Sequence, residues 1–161
     1  MKVEYSGIKQ AIARLEKLKK KVGSDKLHEI LQQLAEIGVS YARAGFNSAI
    51  YDGHKDVSVE IEWESENAVC VTARGQTVLF IEFGSGARYG YGHPLADQYG
   101  YGPGTWSTNE ALGGKGHWDD ENGWYYEHGK KSWGNPPSMT MYNTSKEIQA
   151  KINEVIKGVL G

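Results

Sequence analysis

Residues 57–73 read VSVEIEWESENAVCVTA, and the alternation in this stretch decides the class of the fold. Val57, Val59, Ile61 and Trp63 take every second position, with Ser58, Glu60 and Glu62 between them. Successive side chains of a strand point to opposite faces, so the pattern predicts a half-buried strand with an acidic outer face. Glu64-Ser65-Glu66-Asn67 is a polar turn, and Ala68-Val69-Cys70-Val71-Thr72-Ala73 returns as the second strand of a hairpin. Cys70 stands mid-strand between two valines, where a thiol normally packs as a small apolar core group and is a poor nucleophile.

Upstream the period changes from two to about 3.6. Ile8, Ile12, Leu15, Leu18 and Val22 recur at helical spacing among Lys9, Arg14, Lys17, Lys19 and Lys20, which predicts a basic amphipathic helix from about Ser6 to Lys21. Gly23 ends it, and Ser24-Asp25 offers a cap and a favourable charge to a second helix. Leu27, Ile30, Leu31, Leu34, Ile37 and Tyr41 form the stripe of that helix, with Gly38 and Ala42 permitting close approach. It runs to about Ile50 as one long helix or as two broken near Gly45-Phe46-Asn47.

Downstream, Thr77-Val78-Leu79-Phe80-Ile81-Glu82-Phe83 is ordered and buried, but so short an apolar run leaves strand and helix both open. Asn135-Pro136-Pro137 punctuates the chain, Ser138 can cap a final helix, and Met141, Ile148, Ile152, Val155, Ile156 and Val159 make one face of it to about Leu160. The expected fold is α+β: long N-terminal helices, a small antiparallel sheet, a long Gly/aromatic loop and a C-terminal helix packed on the sheet. The whole, residues 1–161, reads as a single domain. A chain of this mass buries roughly 69% of its unfolded surface, enough for a core without metal or disulfide.

Composition narrows the chemistry. One cysteine excludes an internal disulfide and multi-cysteine metal sites, and Met1-Lys2-Val3-Glu4-Tyr5 lacks a signal-peptide pattern, so the expectation is a soluble protein made in a reducing compartment. A formal net charge of −2 argues against general attraction to nucleic acid. Residues 1–26 hold eight Lys/Arg against three acids, whereas residues 54–82 hold two against six. Such asymmetry either steers neighbouring copies head to tail or forms solvated faces. The five histidines, at 28, 54, 93, 117 and 128, lack the paired spacing of a zinc helix and read as ordinary exposed loop residues; no metal or cofactor is expected. Glu82, Asp119, Asp120 and Glu121 could supply paired carboxylates, and Trp106, Trp118, Trp124 and Trp133 could stack on sugars, but nothing singles out one pair. The basic cluster Lys17, Lys19, Lys20, Lys21 and Lys26 is not interleaved with aromatics, as a single-strand groove requires.

Residues 84–134 hold 13 of the 21 glycines and 10 of the 18 aromatics, and they form a long loop. Within it Tyr89-Gly90-Tyr91-Gly92-His93-Pro94 recurs as Tyr99-Gly100-Tyr101-Gly102-Pro103-Gly104. Glycine gives backbone freedom and tyrosine an apolar ring with a polar tip, a composition suited to gripping another protein. Loops of this length are functional or disordered, and the aromatic content favours order on contact with a partner.

Ile81-Glu82-Phe83-Gly84-Ser85-Gly86 resembles the hydrophobic-Glu-aromatic-Gly-Thr/Ser-Gly signature of the gene-product-ten-like family of tailed-bacteriophage head-tail joining proteins, also called neck or tail-completion proteins. Asn135-Pro136-Pro137-Ser138-Met139-Thr140-Met141-Tyr142 resembles that family's proline-led entry to its last helix, and the Tyr-Gly-rich stretch is similar to the expanded loop of some members. The family-motif positions are Glu82, Phe83, Gly84, Gly86, Pro136 and Pro137. The resemblance implies a non-enzymatic virion protein of the neck or upper tail, made in the host cytoplasm. It implies a ring, expected to be a hexamer, that contacts the connector or stopper and tail proteins while DNA passes without specific binding and no membrane is engaged. On this reading Tyr89, Tyr91, Tyr99, Tyr101, Trp106, Trp124 and Trp133 are the expected docking residues. Glu60, Glu62, Glu64 and Glu66 are the expected lumen-facing acids. Two rivals stand beside it: a tail terminator ring protein, and a carbohydrate-binding or lysin-type module using the tryptophans.

Overall fold

A computed structural model of the chain describes residues 23–86, 89, 92–99, 124–125 and 131–161. The predicted basic helix from Ser6 to Lys21 lies outside the described residues. The elements are α1 (Ser24–Ser48), β1 (Ser58–Ser65), β2 (Ala68–Arg74), α2 (Val78–Phe83), α3 (Ala96–Tyr99), β3 (Trp124–Tyr125), β4 (Lys131–Ser132) and α4 (Thr140–Leu160). The fold is α+β, as the periodicities predict. The chain clusters into two compact units: one runs to Gly45 and takes Ser58–Arg74 and Thr140–Gly161, and the other comprises Phe46–Val57 and Gly75–Met139.

In the first unit α1 and α4 run antiparallel. Ile30 and Leu34 form a buried cluster with Ile152 and Val155, flanked by Ile37, Ile148, Ile156 and Val159. Farther along α1, Gly38 meets Ile148 and Gly45 meets Thr140, while in its first turn the Lys26 ammonium donates to the Val159 carbonyl at 3.0 Å. Each step forward along α1 is thus matched by a step back along α4. At Gly38 the fit is tight, since a Cβ there would come within 2.7 Å of Ile148 Cδ1 and 2.8 Å of Val71 Cγ2. Two helices and β2 converge on this one position, where any side chain would have to displace Ile148 and Val71.

The long helix is unbroken through Gly45-Phe46-Asn47, which settles its two open readings in favour of one 25-residue helix. Its stripe differs from the expected one in a single place. Tyr41 is 43% exposed, while Ala35, Val39 and Ala42 are buried. The buried face rotates toward β1 and β2 in this half of the helix: Gly38 touches Val71, and the Arg43 guanidinium donates to the Val59 carbonyl at 2.8 and 3.2 Å. That rotation carries position 41 to the margin.

The hairpin pairs Val59 with Ala73, Ile61 with Val71 and Trp63 with Val69 on one face, and Glu60 with Thr72 and Glu62 with Cys70 on the other. Cys70 is therefore not a core residue. The alternation that turns Val69 and Val71 toward the apolar face puts the thiol, half-buried, beside Glu62. β1 also runs farther than the expected four-residue turn allows, to Ser65, with a register shift between Trp63 and Ser65 and the turn confined to Glu66-Asn67. Trp63 is 36% exposed and lies flat on His28 of α1, with ring centroids 4.1 Å apart and planes 11° from parallel.

α4 carries its apolar face as expected, but it begins at Thr140 and not directly after Ser138. Met139, immediately before it, has φ 52°, a left-handed conformation that costs a non-glycine residue about 1 kcal/mol or more.

In the second unit the ambiguous run resolves as the helix α2. Val78, Ile81, Glu82 and Phe83 are its buried positions, a helical stripe and not a strand alternation. Asp56, 22 residues before the helix starts, pins the turn that leads into it. The carboxylate accepts from the Gln76 amide at 2.7 Å, the Thr77 amide at 2.9 Å and the Thr77 hydroxyl. These bonds hold its pKa down at about 2, the Thr77 hydroxyl contributing most. Lys55 performs the complementary task at the end of α1, donating to the carbonyls of Asn47 at 2.8 Å and Ala49 at 2.6 Å, where the last turn of the helix has no basic residue of its own.

Candidate functional site

A six-residue helix leaves its final carbonyls without partners inside the helix, and a buried carbonyl must find a donor elsewhere. The donors for α2 come from a segment more than fifty residues later. The Asn135 side-chain amide donates to the Phe80 carbonyl at 2.8 Å, the Ser138 amide to Ile81 at 2.8 Å and the Met139 amide to Glu82 at 3.2 Å. The Ser85 amide donates to the Asn135 carbonyl at 3.0 Å, and the Ser85 hydroxyl donates to Asn135 Oδ1 at 2.5 Å. Asn135 is 4% exposed, and these bonds occupy its side-chain oxygen, its side-chain nitrogen and its backbone carbonyl.

Pro136 and Pro137 suit this strap because they bring no amide that would need a partner in a crowded place. Pro137 packs against Gly84, where φ is 77° and a Cβ would come within 2.8 Å of the proline nitrogen, and against Gly92. The two sequence segments that resemble the head-tail joining family, Ile81–Gly86 and Asn135–Tyr142, are thus hydrogen-bonded to each other through residues 80–85 and 135–139. The start and end of the long loop stand side by side at Ser85 and Asn135.

A second attachment lies just inside the loop. Glu82 and His93 are 2% and 3% exposed, with Glu82 Oε1 and His93 Nε2 3.2 Å apart. The ring lies against Phe83 at a centroid distance of 4.2 Å, and its Nδ1 accepts from the Leu95 amide at 3.0 Å. The Ala96 amide then donates to the His93 carbonyl at 3.1 Å as α3 begins. His93 is therefore not the exposed loop histidine that composition suggests. A buried polar group needs hydrogen-bond partners, and the imidazole that the loop returns is one of those of the glutamate at the motif's centre. With one ring nitrogen on Glu82 and the other on Leu95, the pair fastens the loop and presents no free nitrogen to a substrate.

Among the seven expected docking residues, Tyr89 and Trp133 have described side chains. Tyr89 is half-buried in a turn, its amide donating to the Gly86 carbonyl and its carbonyl accepting from the Gly92 amide, both at 3.1 Å. Trp133 is 42% exposed, with the Lys131 ammonium 5.1 Å from its ring centroid. Tyr99 ends α3 and Trp124 pairs with Ser132 in the β3–β4 ribbon, their side chains lying outside the description; Tyr91, Tyr101 and Trp106 lie outside the described residues altogether. On the hairpin, Glu60, Glu64 and Glu66 are exposed and Glu62 is half-buried. Glu62 accepts from the Thr72 hydroxyl at 2.9 Å and pairs with Arg74, which also reaches Glu60 at 3.7 Å. One arginine thus offsets part of the acidic face. Of the motif residues, Glu82, Phe83, Gly84 and Gly86 are buried, and Pro136 and Pro137 are half-buried.

His93, central to this site, carries no motif signal of its own, and neither does Asp56 in the turn before α2. A trace of His93 is nonetheless present in the loop's internal repeat. The first copy has His93 where the second has Pro103, a difference that marks the copy whose turn is pinned to Glu82. Among the described residues no three His, Cys, Asp or Glu side chains gather as a metal site would require, and no helix is long and apolar enough to cross a membrane. Compared with protein-family models, curated proteins and solved structures, the chain matches none.

Proposed function

We propose that the chain is a structural protein of a tailed-phage neck, forming or completing a ring between the capsid connector and the tail. The observation that carries this reading is the joining of its two motif-like segments. Glu82-Phe83-Gly84-Ser85 and Asn135-Pro136-Pro137 are far apart in sequence yet form one buried, hydrogen-bonded junction from which the aromatic loop departs. A hydrogen-bonded base from which an aromatic-rich segment departs is an arrangement suited to docking, in which a few ring-bearing anchors supply most of the binding energy. Trp133, exposed beside the junction, fits that role, with Tyr89, Tyr91, Tyr99, Tyr101, Trp106 and Trp124 completing the set. The exposed carboxylates of Glu60, Glu64 and Glu66, with Glu62, would discourage DNA from adhering to a channel wall.

The test is assembly. The purified chain is expected to form closed rings of about six subunits in negative-stain electron microscopy and native mass measurement. A second sample, with residues 100–123 replaced by a short Gly-Ser linker, keeps His93, β3, β4 and the strap. It is expected to fold but to assemble poorly. A wild-type chain that remains monomeric while binding cell-wall glycan beads would favour the carbohydrate-binding rival, and turnover of sugar, peptide or phosphodiester would refute a structural role.

A further inference from the structure

Between α1 and β1 the chain is tied at two points. The Lys55 ammonium donates to the carbonyls of Asn47 and Ala49, at 2.8 and 2.6 Å, and the Asp56 carboxylate holds the amides of Gln76 and Thr77. Between these ties the chain bends at Asp52 and Gly53, both exposed, beside Ile50 at 71% exposure and an exposed His54. Among the described residues, no hydrogen bond holds the Asp52 carboxylate or the Gly53 amide.

We propose that Asp52-Gly53 is a site of spontaneous backbone isomerisation, at which aspartate becomes isoaspartate. The Gly53 nitrogen attacks the side-chain carboxyl carbon of Asp52. An N–Cγ bond forms, a Cγ–O bond breaks, and the oxygen leaves as water with the amide proton and one proton from solvent. Water then opens the five-membered succinimide. Addition at Cγ restores aspartate, whereas addition at the main-chain carbonyl breaks its bond to the Gly53 nitrogen and leaves the chain running through Cγ. Water is the only co-reactant.

Ring closure needs an attacking nitrogen that no side chain crowds and a backbone able to turn toward it, and glycine supplies both. Asp56, four residues on, is the internal contrast. It precedes Val57, whose branched side chain crowds the next nitrogen, and its carboxylate is held by the Gln76 amide, the Thr77 amide and the Thr77 hydroxyl. Isomerisation at position 52 adds one methylene to the main chain and leaves mass and formal charge unchanged. Because the segment is tied at both ends and exposed in its middle, the added length is taken up in the loop, and α1 and β1 keep their packing. This chemistry goes beyond the neck reading and does not depend on it.

The experiment incubates the full-length chain beside a free peptide of residues 48–58 at neutral pH. Isoaspartate is read position by position by digestion and electron-transfer mass spectrometry, and independently by methyl transfer from S-adenosylmethionine with an isoaspartyl methyltransferase. The Asn122-Gly123 pair in the loop, outside the described residues, has related chemistry, and reading each position separately keeps it apart. Opening an exposed loop costs close to nothing, so conversion at position 52 in the folded chain should run within about fivefold of the peptide's rate. Asp56, which must first give up its hydrogen bonds, should convert at least about tenfold more slowly than Asp52. In Asp52→Glu, where no five-membered ring can close, the signal at this position should be lost while the circular dichroism stays that of the wild type. Conversion at position 52 slower than that margin, equal conversion at positions 52 and 56, or an undiminished signal in Asp52→Glu would overturn the assignment.

Discussion

Asn135→Ala tests whether the strap across α2 holds the second unit together. The substitution removes the donor to the Phe80 carbonyl, 2.8 Å away, and the acceptor for the Ser85 hydroxyl, at 2.5 Å, while leaving the backbone bond from the Ser85 amide in place. Two hydrogen bonds at about 1 kcal/mol each, together with a further 1 kcal/mol or so for polar groups left less well served in a buried place, give a loss of about 3 kcal/mol. With a urea dependence near 2 kcal/mol per molar, the unfolding midpoint should fall by roughly 1.5 M. Urea titration followed by tryptophan fluorescence and far-ultraviolet circular dichroism measures it. Asn153→Ala, an exposed position on α4, serves as the control and should shift the midpoint by no more than about 0.3 M. If Asn135→Ala and the control behave alike, the strap does not hold α2 in the way described.

The other expectations concern packing and acid. Gly38→Val should destabilise by about 1–3 kcal/mol or more, because its side chain must displace Ile148 and Val71, whereas Gly158→Ala, with nothing within 4 Å of its added methyl, should stabilise α4 by about 0.5–1 kcal/mol; thermal melts of both variants check the pair. Asp56 has a folded pKa of about 2 against an ordinary value of 3.8, so its contribution to stability is fully present above pH 3.8 and is lost as the pH falls through about 2. Asp56→Asn should therefore lower stability at pH 6 and flatten the acid limb of the stability profile, and equal acid limbs for the two proteins would contradict its role in pinning the turn before α2.

Local periodicity made the hairpin and α4 legible, because each has one apolar face and one polar face. In β1 Val59, Ile61 and Trp63 alternate with serine and glutamate, and in α4 Ile148, Ile152, Val155 and Val159 keep to a single stripe. The same rule misplaced Cys70 when its apolar neighbours were allowed to outweigh the alternation that sends it to the opposite face. The run from Val78 to Phe83 is ambiguous for a physical reason: it is apolar at five of six positions, and the donors that serve its last carbonyls, on Asn135, Ser138 and Met139, stand on a distant segment. Tyr41 follows the spacing of the early stripe but not the rotation of the buried face once Val71 and Val59 come near the helix. At the candidate site, the motif residues Glu82, Gly84 and Pro137 could be read in advance, yet the contacts joining them to His93 and Asn135 span 11 to 55 residues and depend on chain closure that no local pattern encodes.

The pairing of Ser85 with Asn135 has a consequence for how this protein can be altered. A segment whose two roots are already fixed next to each other loses little additional freedom when it is lengthened, since each doubling costs only about 0.6 kcal/mol in closure entropy. A fluorescent reporter or an affinity peptide spliced between positions 100 and 123 would add almost no strain to the roots, and the segment could diverge in size and wording among descendants while the framework beneath it stayed the same.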